Sequence, residues 1–392
     1  MRFKAVSLFS ASVLLGLVPG LAGCGSTPPH LILAPTTSTA TSSTTLFTNP
    51  STTNPANLAT TTTRQPVTAT WVPITGNLAG LASECGDVSL LSVRPDRDML
   101  TVSVALRGLW ASEKGAETWT PLGTGAGSAT ITNRGSSIVY DPDHPNTFWE
   151  SGIYNGGGVY RTDDNGLTFR QLGDVKHSDA VSVDLTDPQR LTLVSGGHEQ
   201  TAVFVSHDGG RSWSDISGSL PKDVGYTAQP LTLNSRTYLV GTFNAANSGV
   251  FRTVDSGSTW TPVYKAAVLG HPLVVSDGTI YWLTADGGLI KSLDQGATWT
   301  KVVAPGTINP SSPYLVELPD GALAAIGRTV IMSSDHGTTW RAIGPSLPIL
   351  PSGFAYSRFR NAFYIWYFDC GTGTIPVAAN AVLRLDFDYT TQ

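Results

Sequence analysis

Thr253-Val254-Asp255-Ser256-Gly257-Ser258-Thr259-Trp260 decides the fold. Its order of hydroxyl, aspartate, glycine, hydroxyl and aromatic returns at 162–169, 206–213, 292–299 and 333–340. A degenerate copy, Ser112 to Trp119, keeps the last hydroxyl and the tryptophan but has a shifted glycine and no aspartate. The copies recur about every 40 to 50 residues, a period expected of propeller blades. Each reads as a turn between antiparallel strands. The carboxylate accepts from backbone N–H groups of the turn, glycine tolerates positive φ, and the aromatic opens the next strand.

Working outward, an apolar strand precedes each turn: 158–161, 202–205, 249–252 and 288–291. Two more strands come before it. Residues 183–185 and 191–194 flank Thr186-Asp187-Pro188, and residues 273–275 and 280–283 flank Ser276-Asp277-Gly278. Four short strands per repeat make one blade. After Trp340, the stretches 352–359, 363–368 and 381–388 read as three strands with no turn motif after them. Thr70-Trp71-Val72-Pro73-Ile74 matches the strands after the motifs, such as Thr259-Trp260-Thr261-Pro262-Val263. It is expected to supply the missing fourth strand and remove an exposed edge. The expected fold is all-β: a seven-bladed β-propeller closed by its N-terminal strand, with six blades as the alternative.

These repeats resemble the Asp-box, or BNR, repeats of sialidases, sortilin-like receptors and photosystem assembly factors, over roughly residues 70 to 392. The resemblance implies that Asp164, Asp208, Asp255, Asp294 and Asp335 are structural, and that ligands meet the opposite face and its central funnel. Sialidases carry an Arg-Ile-Pro motif and three arginines for the sialate carboxylate. This sequence has no such motif and no convincing third arginine, so sialidase activity is not expected. Xyloglucan-type hydrolases use two tandem propellers, and one is present here. Photosystem assembly factors are single seven-bladed propellers, sometimes lipidated, that bind a partner and catalyse nothing.

The N-terminus reads as a targeting segment. Arg2 and Lys4 precede an apolar run from Ala5 to Val18, followed by Leu21-Ala22-Gly23-Cys24. This resembles a bacterial lipobox, with residues 1–23 as signal peptide and Cys24 as the lipidated residue. The run is short for a membrane span of roughly 20 residues. Residues 24–67 are rich in Thr, Ser, Pro and Asn, cannot bury enough apolar surface to order themselves, and read as a tether. The propeller occupies 68–392. The expected location is the cell envelope, lipid-anchored on the extracytoplasmic side.

With Cys24 lipidated, Cys85 and Cys370 remain in a compartment that permits disulfides. They read either as two buried thiols or as a bond joining blade 1 to blade 7. Closure of the ring favours the bond, which the chain-entropy model values at roughly 4–5 kcal/mol. Charged residues make up 14% of the chain and the net charge is -5, which leaves no basic footprint for nucleic acid.

Blade 3 holds the densest group of chemistry-bearing residues on the face away from the turns. Lys176, His177 and Asp179 fall in its entry loop, and His198 and Glu199 in the loop after its second strand. Blade 2 adds Arg134, Glu150, Tyr154 and Asn155. Other blades add Tyr226, Gln229, Asn244, His271, Asp286, Asn309 and Arg328. The His and carboxylate residues of blade 3 read first as solvated loop side chains, next as a ligand contact or an acid/base pair, and more distantly as a metal site. No metal or cofactor is assigned.

Two functions follow. The first is an envelope-anchored recognition module whose propeller face binds a protein or glycan, with His177, Asp179, His198, Glu199, Tyr154, Asn155 and Arg134 as contacts. The second is a polysaccharide-active hydrolase or lyase using Glu199, Asp179 or Glu150. A hydrolase needs two carboxylates roughly 5 to 9 Å apart.

Overall fold

The computed structural model describes residues 69–113, 118–128, 131–368 and 373–388. The leader, Cys24, the tether, Cys370 and the middle of the degenerate repeat lie outside the described residues. The chain is a seven-bladed β-propeller of seven four-stranded antiparallel sheets. Blades 1 to 6 each use four consecutive strands, blade 1 opening with Val88–Val93 and blade 6 closing with Arg341–Ser346. The first strands of neighbouring blades pack on one another around a central channel.

Blade 7 is assembled from both ends of the chain. Its inner strands are Gly353–Ser357, Ala362–Trp366 and Val382–Asp386, and its outermost is Val72–Pro73. Val72 pairs with Arg384 and Pro73 with Leu383. A two-stranded ribbon, Ala82–Glu84 against Thr374–Pro376, adds a second clasp. Beside it the Cys85 N–H donates to Gly373 O at 2.8 Å.

Each intact repeat closes on itself. In the copy at 253–260, Thr253 Oγ1 donates to Asp255 Oδ1 at 2.7 Å and accepts from Gly257 N at 2.9 Å. Asp255 also accepts from Thr259 N at 2.9 Å and Thr259 Oγ1 at 2.7 Å. The copies at Asp164, Asp208, Asp294 and Asp335 repeat this pattern. Two successive positive φ values, 60° at Ser256 and 86° at Gly257, fold the turn back, and glycine takes the second without a Cβ penalty.

Two of the motif tryptophans stitch blades together, while Trp299 and Trp340 bond within their own turns, to Gly296 O and Gly337 O. Trp213 and Trp260 donate their indole N–H to Leu172 O and Ile216 O of the preceding blade, at 2.9 and 3.1 Å. Trp119, from the degenerate copy, donates likewise to Ile74 O at 3.0 Å. The N-terminal strand thus occupies the place of an ordinary fourth strand. The buried apolar residues form seven clusters, one at each blade interface. There is no single central core, so every blade depends on both neighbours.

Buried ion pairs add to the stitching at the turn face. Arg190 of blade 3 meets Asp141 of blade 2 at 2.8 Å, both side chains almost fully buried. Burial opposes ionisation of Asp141, yet the Arg190 hydrogen bonds and charge bring its pKa down to about 2.

Candidate functional site

The first strand of each blade runs along the channel, and five of these strands break register near the face opposite the repeat turns. The residues at the breaks include Ser89, Ser136, Asp179 and His271. A bulge leaves its extra residue outside the ladder and re-aims its side chain. All four line a funnel of about 480 Å³ at that face. Phe243, at the end of a second strand, and the loops after the second strands, with Tyr154, His198, Glu199 and Asn244, complete its wall.

On the blade 2–3 side, three of these groups form one chain of hydrogen bonds. Asp179 Oδ1 lies 3.0 Å from His198 Nδ1. His198 Nε2 lies 2.8 Å from Tyr154 Oη. Glu199 Oε1 stands 3.9 Å from the same Nε2. Burial disfavours the His198 cation, but the bond and charge of Asp179, with the charge of Glu199, outweigh it and hold the pKa above the ordinary imidazole value. Burial, then the charge of Glu199, pushes the Tyr154 phenol above its usual range. The phenol therefore carries its proton at neutral pH. Asp179 fixes the imidazole tautomer, and a proton can pass between Tyr154 Oη and His198 Nε2. A base in reach of a hydroxyl and oriented by a third group is the recurring signature of an activated side chain.

His177 holds the two loops together. Its Nδ1 accepts from Tyr154 N at 3.1 Å and its carbonyl accepts from His198 N at 2.8 Å. Tyr154, Asn155, His177 and Glu199 all sit at positive φ, 56°, 40°, 50° and 50°. Such conformations cost about 1–3 kcal/mol each and persist where the surroundings over-determine them, often at ligand sites. Arg134 stacks its guanidinium 5.6 Å from the Tyr154 ring centroid. It meets Asp87 at 3.3 Å and Glu84 at 3.6 Å, and its Nη2 lies 3.4 Å from Cys85 Sγ. Asn155 Nδ2 donates to Glu84 Oε2 at 2.9 Å.

The funnel narrows at His271 of blade 5, whose Nε2 lies 3.4 Å from Ser136 O of blade 2. Burial lowers the His271 pKa, so it stays neutral. Below it a second cavity of about 520 Å³, lined by Leu91, Ile138, Val181 and Leu231, reaches toward the turn face.

Of the residues singled out from sequence, Arg134, Tyr154, Asp179, His198, Glu199, Tyr226, Gln229, Asn244 and His271 line the funnel. His177 and Asn155 brace it from behind. Lys176, Asp286, Asn309 and Arg328 are not among the lining residues, and Asp286 pairs with Lys301 at 3.3 Å. Glu150 is a correction. Expected around a loop, it sits inside the second strand of blade 2, Phe148–Ile153, and is fully buried. Asn133 donates to its Oε2 at 3.3 Å, and burial pushes its pKa up to about 8. It is not among the residues that line the funnel. Sequence reasoning missed Tyr314, Phe243 and Phe368. Phe243 was findable, since it ends a second strand as Ile153 does before Tyr154. Among the described residues, no group of three or more His, Cys, Asp or Glu is placed to hold a metal ion.

A seven-bladed propeller with a polar cluster on one funnel wall is the class of protein that fold and site define. No family model and no curated protein matches the chain. Among solved structures it is similar to the GH74 xyloglucanase from Xanthomonas campestris, with 18% identity and a TM-score of 0.50 over 78% of this chain and 53% of that one. It is also similar to the extracellular domain of a putative hybrid two component system from B. thetaiotaomicron, with 10% identity and a TM-score of 0.54 over 75% of this chain and 39% of that one. YCF48 bound to D1 peptide gives 17% identity and a TM-score of 0.46, covering 66% of this chain and 93% of that one. The chain thus spans about half the length of the xyloglucanase, and the likeness is one of fold.

Proposed function

We propose that this protein is a lipid-anchored cell-envelope recognition module whose funnel binds a segment of a protein or glycan. The observation that carries the reading is the Tyr154–His198–Asp179 cluster, hydrogen-bonded, half-buried and set in the wall of a funnel that Tyr226, Phe243, Tyr314 and Phe368 also line. Convergent polar groups in an apolar concavity are the usual form of a ligand site. The fold hosts unrelated functions, so the argument rests on the site. The lipobox-like Leu21-Ala22-Gly23-Cys24 supports the anchor. Val72–Pro73 is the outermost strand of its blade, at the rim and not at the funnel.

The test is capture from envelope extracts by the full-length protein, alongside Tyr154→Phe and His198→Ala. A component retained by the native protein and lost by both variants supports the reading. Equal retention by all three sinks it. Cys24→Ala should move the protein from the membrane to the soluble fraction. A Cys85–Cys370 bond is proposed with this reading, and intact mass before and after reduction tests it.

A second reading is favoured by the same relay, which has the parts for acid–base chemistry on a polysaccharide. With Glu150 sealed in the sheet, Asp179 and Glu199 remain of the three carboxylates named from sequence. Release of reducing ends, or of unsaturated products, from a polysaccharide panel tests it, with loss in Glu199→Gln and Asp179→Asn as the expected control.

A further inference from the structure

The funnel has two unlike walls. On the blade 2–3 side, carboxylates outnumber cations. The Arg134 charge is already met by Asp87 and Glu84. Asp179 and Glu199 both converge on one imidazole, at 3.0 and 3.9 Å. The Glu199 side chain remains 45% exposed, so one carboxylate stands open to an incoming group. On the blade 5–7 side, Leu269, Pro310, Pro313, Tyr314 and Phe368 bring no ionised group. With the Arg134 charge met, the Glu199 carboxylate dominates the field of this wall, and low-dielectric walls focus that field on what enters.

Two further side chains point to a ligand. Ser89 is more than nine-tenths buried, lines the funnel, and its Oγ has no hydrogen-bond partner. Gln229 Oε1, from blade 4, is likewise unpartnered. Unpaired polar atoms just beneath a cavity lining call for a ligand or solvent partner. The half-exposed Glu199 carboxylate accepts, so the complementary ligand donates to it.

We infer that the funnel takes a basic side chain, lysine or arginine, of an extended protein segment, seated at Glu199 and Asp179 with a neighbouring apolar residue against Pro310, Pro313 and Phe368. This rests on the recognition reading above and names its ligand. A protein segment fits better than an amino sugar because Leu269, Pro310 and Pro313 give the facing wall aliphatic surface, and its side-chain hydroxyls, Ser311, Tyr314 and Ser352, are few for a ring of sugar hydroxyls.

The test is calorimetric titration of the full-length protein with acetyl-Ala-Leu-Lys-Leu-Ala-amide, its Arg and Glu counterparts, and a glucosamine hexamer. The Lys and Arg peptides should bind at least about tenfold tighter than the Glu peptide, a gap of about 1.4 kcal/mol. Glu199→Gln with Asp179→Asn should erase that gap. Should the double variant fail to fold, Glu199→Gln alone should narrow it, because that side chain is half exposed. Binding indifferent to charge, preference for the Glu peptide, tighter binding of the glucosamine hexamer, or no peptide binding overturns the inference. The envelope-capture experiment uses no chosen probe, so it judges the recognition reading separately.

Discussion

Glu150→Gln should stabilise this protein at neutral pH and not at acid pH. The native carboxyl has its pKa raised from 4.5 to about 8 by burial. A raised carboxyl pKa means the folded state holds a proton that the unfolded chain gives up. Its contribution is harmless below pH 4.5 and turns destabilising as pH rises toward 8. At pH 7.5 the gap of about three pH units, at about 1.36 kcal/mol each, costs about 4 kcal/mol. Glutamine is isosteric, does not ionise, and can still accept the bond from Asn133. Its amide N–H₂ enters the place of an oxygen that has no partner now, Oε1, which costs about 1–3 kcal/mol. The net gain at pH 7.5 is about 1–3 kcal/mol, and at pH 4.5 it vanishes or reverses. Denaturant unfolding of both proteins at pH 4.5, 6 and 7.5 measures the difference. Parallel stability profiles across that range would refute the reasoning, because they would mean Glu150 is ionised in the fold. Ligand binding should be unchanged throughout, as Glu150 lies outside the funnel.

The repeat turns predict the opposite sign at lower pH. Asp208, Asp255, Asp294 and Asp335 have their pKa lowered from 3.8 to about 2, chiefly by bonds from the hydroxyl and N–H four residues on. Their contribution is present above pH 3.8 and lost as pH falls toward 2, so the melting temperature should drop through that window and Asp255→Asn should shallow the drop. Arg190→Leu removes the guanidinium from buried Asp141 and leaves it only the His144 imidazole and two backbone N–H groups, and should cost up to about 3–5 kcal/mol, read by chemical unfolding. Ile74→Ala should cost about 2–5 kcal/mol, because Ile74 is buried in the core between blades 7 and 1. Asp179→Asn should lower the His198 pKa, seen by NMR titration of the imidazole, because it removes the main charge-stabilising partner.

The fold was legible because its information is local. Each repeat carries the hydroxyl, carboxylate and glycine that close its own turn within a few residues, so no long-range contact had to be guessed. Ring closure was legible because residues 70–74 imitate a fourth strand, and Trp119 treats Ile74 as other motif tryptophans treat Leu172 and Ile216. The site was only half legible, for a physical reason. Loop positions such as His198 and Tyr154 follow directly from strand order. Strands packed on both faces lose the alternation that separates inward from outward positions, so Glu150, in a strand buried along its whole length, could pass for a loop carboxylate. The first strands are harder still, because their register breaks, one extra residue at Ser89, Ser136 and Asp179 and two around His271, carry no residue signature of their own. Those breaks place all four residues against the channel. The funnel's chemistry is therefore written in irregularities of register. Removing a bulge, as by deleting Ser136, should disturb the funnel lining while leaving the repeat turns intact.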